Sequence, residues 1–371
     1  WFFTTRPEPE VKTTVSVSHT DANADFYTLQ GAVDFFTRNA VEGEKTIMLD
    51  EGKFEEIVNI RNLSNLTVKG ADKTEIQSDN NNNWNPGIKD GCDSGLADAL
   101  KPGMDIPYVD GRNQGGGRAG VLIAGKADKI RFEDVSMRCL YPTKTQAEVL
   151  CIRNKSDNAT AFVRCRFYSQ QDTLLPGGGY NWFYDCYVEG DTDFIWGGNS
   201  ACLFESCEVE MITSGGRGFN ARVKANNIGY VFSECSLTVA EGVTKCRLLE
   251  GSDGTGMVDN ITFVNTTIDK EFFSGGINSK DKSMVPIAGY DDIRYNDGNN
   301  VVSLGEDTGI KDGCKMYNCT YYDGENKKSV QESGVNGADR IHTLTSEEYN
   351  QYFKDRSTVL GGYADTTWFT E

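Results

Sequence analysis

The chain has 371 residues, with 37 Lys and Arg against 55 Asp and Glu, a formal net charge of −18. So acidic a chain lacks the basic surface that phosphate contacts need, which argues against nucleic-acid binding; it also repels an anionic polymer at long range unless a local basic groove offsets the field. Forty Gly, only eight Pro and an odd count of eleven Cys suit many short strands joined by Gly and Asn turns, with disulfides plus a free thiol conceivable in a secreted protein.

Residues 1–20 read as an entry segment in which Thr13 to Ser18 alternate like a strand. The chain begins at Trp1 without a charged and apolar leader, so any signal peptide is expected to be already removed or never included. Asp25 to Ala40 places Leu29, Ala32, Val33 and Phe36 on one face, which predicts an amphipathic helix able to cap the open end of a strand stack. Short apolar strands follow at Thr46–Leu49, Ile57–Ile60, Leu66–Val68, Gly120–Ile123, Ile130–Phe132, Val149–Ile152, Phe162–Phe167, Trp182–Val188, Cys202–Val209, Tyr230–Leu237 and Ile261–Ile268. Helices do not alternate with them, which disfavours a doubly wound sheet. No apolar run reaches the roughly 18 residues of a membrane span. Two segments, 80–117 and 274–312, are long excursions of the kind that carry binding surfaces. A Thr345–Glu348 capping box opens a helix over Leu344–Phe353, within a tail (340–371) expected to pack back along the stack.

A period of 21 residues runs through the middle of the chain. Phe162, Phe183 and Phe204 recur at this spacing, and so do Cys165, Cys186 and Cys207. The Phe-x-x-Cys unit returns at Phe232–Cys235 after a longer insertion. Repeats of this length made of strands imply a solenoid, here a right-handed parallel β-helix over 1–371 as a single domain, with like residues stacked on like. The in-phase cysteines are expected to be a buried stack of small apolar groups. Cys314 and Cys319 are the better disulfide candidates, and no CxxC pair suggests a zinc ribbon.

Asp172 and Asp193 ride in the same phase. On adjacent parallel strands ~4.8 Å apart, their carboxyls would lie roughly 5 Å from each other. One pKa should then rise while the other stays low, which suits an acid beside a base or nucleophile. Phase alone leaves the plainer reading open, since Asp is common in turns and any period creates in-phase pairs.

The neighbouring residues are more specific. Gln170-Gln171-Asp172-Thr173-Leu174 and Asp191-Thr192-Asp193-Phe194-Ile195-Trp196-Gly197 resemble the QDTL and DFIFG motifs of pectin methylesterases. Gly52-Lys53-Phe54-Glu55-Glu56 is similar to that family's GxYxE, and Gln146-Ala147-Glu148-Val149-Leu150 to its QAVAL. Asp25 to Ala32 resembles its N-terminal helix entry, and Gly334 to Arg340 its closing GPGA segment. The resemblance implies hydrolysis of galacturonate methyl esters in pectin. Asp193 would be the nucleophile, Asp172 the acid and then base, and Gln171 and Gln146 the amides facing the oxyanion, although a structural role for Gln146 remains open. It implies no metal or organic cofactor, a methyl-esterified pectin polysaccharide as the partner, action as a monomer, and a secreted location. The family's LGRPW, whose Arg orients the nucleophile, is missing. The corresponding stretch reads Thr244-Lys245-Cys246-Arg247-Leu248-Leu249-Glu250-Gly251, which makes Arg247 the candidate and Arg217 the fallback; either also reads as a surface or ion-paired arginine. Trp196, Phe194 and Arg217 are candidate substrate-binding residues, with Trp84, Tyr108, Phe219 and Tyr290 as looser aromatic options.

Other chemistries fit less well. There is no GxSxG for a serine esterase, and neither His19 nor His342 sits in a matching motif. A β-helical glycoside hydrolase could use two carboxylates at this separation. A pectate lyase would need a calcium-binding acidic cluster, and a non-catalytic carbohydrate-binding β-helix is the reading from a different class. Seven N-x-S/T sites, among them Asn62, Asn158 and Asn265, permit glycosylation; Asn is also frequent in β-helix turns.

Overall fold

The computed structural model describes residues 6–82, 118–224, 227–250, 257–277, 292–296, 301–306, 313–323, 326–335, 337–338 and 341–371. Among these, strands stack into three parallel sheets of eleven, ten and seven members, and successive strands in the chain pass from sheet to sheet. Each circuit is one coil of a right-handed parallel β-helix, the hand that parallel crossover connections take. The seven-stranded sheet runs from Val58–Arg61 through Val121–Gly125, Leu150–Asn154, Leu174–Pro176, Thr192–Gly197 and Arg217–Ala221 to Arg247–Leu249. It carries the site and is called the site sheet below.

The 21-residue period is one coil. Phe162 pairs in register with Phe183, Phe183 with Phe204, and Phe204 with Phe232. Their rings stack at 4.8, 4.5 and 4.7 Å between centroids, and the column extends to Phe132 at one end and Phe263 at the other. Every ring in this column is buried. The cysteines stack alongside. Each of the Cys165, Cys186, Cys207 and Cys235 thiols faces two backbone carbonyls, one of them on the preceding coil. Cys314 and Cys319 do not form the expected disulfide; both are free thiols. The reason is register: Cys314 begins a strand opposite Ile261, whereas Cys319 lies beyond the following turn, with its thiol on the Phe263 carbonyl.

Five of the long strands read from the sequence are each two strands. Phe162–Phe167, for example, is divided between Ala159–Val163 and Arg166–Tyr168. The corner between them is a residue with left-handed backbone: Arg164, Asp185, Ser206, Glu234 and Asn265 occupy equivalent corners at φ between 48° and 55°. An Asn or Asp announces such a corner, because its short polar side chain tolerates this region, but Arg, Ser and Glu do not. Asn62, Asn65, Asn265 and Asn318 also have positive φ, which accounts for several of the N-x-S/T sequences as turn positions.

The N-terminal helix spans Leu29–Arg38, with Thr28 as its N-cap and Leu29, Ala32, Val33, Phe35 and Phe36 buried. Glu56, from the GxYxE-like segment, accepts from the Leu29 and Gln30 amides at 2.8 Å each. That carboxylate satisfies two orphan donors at the positive end of the helix, so the motif residue fastens the cap to the stack. At the other end of the chain, Thr345 and Glu348 form a reciprocal capping box for Ser346–Tyr352. Leu344, Phe353, Val359, Leu360, Tyr363 and Phe369 then pack on the outside of the coils against Trp182, Leu203 and Val231. Among the described residues, no helix is long and apolar enough to cross a membrane.

Candidate active site

The site sheet brings Gln146, Gln171 and Thr192 side by side on three consecutive coils, and continues the row with Arg217 and Arg247. Asp172 and Asp193 follow Gln171 and Thr192 directly, so they lie on adjacent coils at equivalent positions. The Asp172 amide donates to the Thr192 carbonyl at 3.0 Å. Both aspartates have left-handed backbone. After Thr192 the pairing register shifts by a β-bulge before it resumes at Ile195. A bulge re-aims side chains, and here it leaves Asp193 half-buried at the surface while Phe194 and Ile195 both enter the core. Gly190 makes this possible, because a Cβ there would stand 2.1 Å from the Phe194 Cβ.

The two aspartates live in different surroundings. Asp193 accepts from the Asn220 amide at 3.1 Å. Asp172 is buried, and its Oδ2 accepts from Arg118 Nη2 at 2.6 Å. Burial holds the Asp172 pKa well above the usual 3.8; the nearby Glu148 and Asp193 charges push the same way, while Arg118 and Arg222 oppose them. A carboxyl so placed keeps its proton where an exposed one would lose it. Arg118 also donates from Nη1 to Gln146 Oε1 at 2.8 Å. With its oxygen held there, Gln146 has its NH₂ left as the donor available to the cleft.

The other expected site residues divide. Trp196 is nearly buried; it belongs to an outward-facing apolar cluster with Leu122, Cys151 and Leu175, and the Arg222 guanidinium lies 5.1 Å from its ring centre. Phe194 is corrected: it is wholly enclosed in the core and meets Phe219 at 5.8 Å, so it cannot touch a polymer. Phe219 is buried as well. Arg217 makes a surface ion pair with Glu250 at 2.8 Å. Arg247 sits in the row of Thr192, not of Asp193, and its Nε donates to the Gly275 carbonyl at 3.3 Å. The guanidinium from beyond Asp193 whose charge reaches Asp172 is Arg222, whose Nε also lies 3.5 Å from the Asn220 Oδ1. Trp84, Tyr108 and Tyr290 lie outside the described residues.

Four residues that sequence reasoning missed therefore stand at the site: Arg118, Glu148, Asn220 and Arg222. Only Glu148 left a visible signal, as an acidic residue at the third position of a QAVAL-like stretch.

Residues 119–247, which contain both aspartates, match the Pectinesterase family model. Pectinesterase 31 of Arabidopsis thaliana is 33% identical over 126 residues, which is 33% of this chain and 37% of the relative. The chain thus spans little more than a third of that protein's length. "Probable pectinesterase 56" of the same plant is 27% identical over 61% of this chain and 70% of its own. The solved pectin methylesterase from carrot superimposes with a TM-score of 0.62 over 98% of this chain and 99% of its own, at 16% identity, which shows the shared fold. The segment that carries both aspartates is thus similar to pectinesterases, and the whole chain shares the fold of solved pectin methylesterases.

Proposed function

We propose that this protein hydrolyses the methyl esters of galacturonate residues in pectin, releasing methanol. The observation that carries the reading is the pair of aspartates on adjacent coils in opposed environments, one enclosed and proton-holding, the other half-exposed and reached by an amide donor. Asp193 attacks the ester carbonyl carbon, and a new C–O bond forms as the carbonyl π electrons move to oxygen. The amides of Gln146 and Gln171 donate to that oxyanion. As the tetrahedral species collapses, the bond to the methoxy oxygen breaks, and Asp172 gives its proton to that oxygen, so methanol departs. The ionised Asp172 then takes a proton from water, which attacks the acyl-enzyme. A galacturonate carboxyl and the starting Asp193 carboxylate result.

A methyl-esterified polymer carries its carboxyls in neutral form, and so it meets the net charge of −18 without repulsion. Each turnover creates an anion that this field helps to expel. The same substrate class implies action outside the cell, on wall material, by a secreted monomer that needs no cofactor.

The test is to incubate the protein with highly methylated pectin and measure methanol and reducing ends together. Methanol without new reducing ends is expected. Reducing ends without methanol would instead make the aspartates a glycoside hydrolase pair, and neither product would leave a carbohydrate-binding β-helix.

A further inference from the structure

Below the two aspartates lies a charged group that the proposed reaction does not consume. Arg118, Glu148 and Asp172 belong to three consecutive coils of the site sheet, and their side chains are only 5%, 0% and 5% exposed. The guanidinium donates to Glu148 along one edge with two nitrogens: Nε lies 2.8 Å from Oε2, and Nη2 lies 2.8 Å from Oε1. Nη1 goes to Gln146, and Asp172 receives only the remaining Nη2 contact. Arg118 thus hydrogen-bonds to two enclosed carboxyls at once. With both ionised the enclosure would carry an uncompensated negative charge, which is costly to bury. A single proton removes that charge. The bidentate pairing assigns the ionised state to Glu148, and the proton falls to Asp172, whose Oδ1 is not used by Arg118.

We infer that Glu148 is a positioning residue for the acid: it occupies the charge of Arg118, so that Arg118 can orient Asp172 and Gln146 without stripping the proton from Asp172. The inference rests on the reading of Asp172 as the proton donor. Were Glu148 a neutral amide, the only carboxylate left for the guanidinium would be Asp172, and the acid would become half of an ion pair. The charged groups that face Asp172 are Arg118 and Glu148 from the coils before it, and Asp193 and Arg222 from those after. Around Glu148 they are Arg118, Arg153 and Asp172 itself; burial raises the Glu148 pKa, and the two arginines lower it. Arg153 remains in every variant below, so its influence is constant.

The variants Glu148→Gln, Asp172→Asn and the double change Glu148→Gln with Arg118→Gln are compared by methanol release from highly methylated pectin across pH. Glu148→Gln is expected to move the alkaline limb of kcat about 1–3 pH units toward acid, as an arginine does to a paired aspartate, with KM changed less than about threefold. The double variant, which removes both charges, is expected to return the limb toward its original position. A uniform loss of kcat at all pH values, with the limb unmoved, would overturn the inference and leave Glu148 a packing residue. A second measurement needs no activity. Infrared titration should show a protonated carboxyl band that is absent in Asp172→Asn and whose midpoint falls in Glu148→Gln; an unmoved midpoint overturns the inference. Should Asp172→Asn retain full methanol release, the acid reading fails, while the infrared midpoint still decides whether Glu148 keeps the proton on Asp172. If Glu148→Gln does not fold, Glu148→Asp takes its place, and it must keep the limb within about one pH unit of the original.

Discussion

Asp172 and Asp193 adopt the same uncommon backbone conformation one coil apart, with φ of 66° and 49°. Left-handed backbone costs a non-glycine residue roughly 1–2 kcal/mol, and Asp and Asn are the side chains that tolerate it best. The equivalence makes asparagine a conservative probe at either position, because it keeps the backbone preference and removes only the ionisable oxygen. Asp193→Asn is therefore expected to lower methanol release by on the order of 10³-fold or more, with circular dichroism and thermal midpoint close to those of the parent. Release at the parental rate would remove Asp193 from the role of nucleophile.

Asp172→Asn has a second, thermodynamic consequence whose sign is fixed by burial. The folded-state pKa of Asp172 lies well above its ordinary 3.8, so between those two values the native protein holds a proton that the unfolded chain has released. The stability associated with that proton is fully present below about pH 4 and is lost as pH rises through the folded pKa. Asparagine carries no such dependence. Urea unfolding is expected to find the variant more stable than the parent at neutral pH, with the difference shrinking toward pH 4. A difference that grows toward acid would mean that the buried carboxyl is ionised in the native state.

Arg222 and Arg247 exchange the ranks that the sequence suggests. Arg247 opens the strand that stands where the motif arginine would be, yet its Nε is held by the Gly275 carbonyl. Arg222 acts on the charge of Asp172 and borders Asn220, the residue that holds Asp193. Arg222→Ala is expected to reduce kcat/KM for methanol release about 10–100-fold, the usual cost of a small misplacement of reacting groups, whereas Arg247→Ala should stay within about threefold. Equal losses in the two variants would return the orienting role to Arg247.

What the sequence reveals follows from period and motif, and what it hides follows from distance and geometry. The Phe column is legible because each member repeats after one coil and meets its own kind. The aspartates are legible through their immediate neighbours, Gln171 and Phe194. Arg118 stands 30 residues before Glu148 and 54 before Asp172, out of phase with the 21-residue repeat, so no pattern joins the three. Phe194 misleads for a local reason: the bulge after Thr192 sends two successive side chains inward, where a regular strand would alternate them. Corners at Arg164, Ser206 and Glu234 are hidden because these residue types do not advertise left-handed backbone, and so pairs of strands read as one.

The Phe column also permits a test of how the coils hold together. Phe204 lies nearly parallel to Phe183 and Phe232, at 4.5 and 4.7 Å with interplanar angles of 7° and 8°, and is fully enclosed. Truncation to alanine removes the ring and leaves a cavity between the Phe183 and Phe232 rings, whose strands are held in register by the ladders and can close in very little. Phe204→Ala is expected to cost about 3–5 kcal/mol in urea unfolding. Because solenoid stability is carried by nearest-neighbour interfaces, the loss should depend on the adjacent ring. A double-mutant cycle of Phe183→Leu and Phe204→Leu should show a coupling of about 0.5–1.5 kcal/mol beyond simple additivity, whereas the pairing of Phe204→Leu with Phe54→Leu, at a core position outside the column, should be additive. Zero coupling between Phe183 and Phe204 would mean that the rings act only as apolar volume, and that the repeat of phenylalanine reflects size rather than stacking.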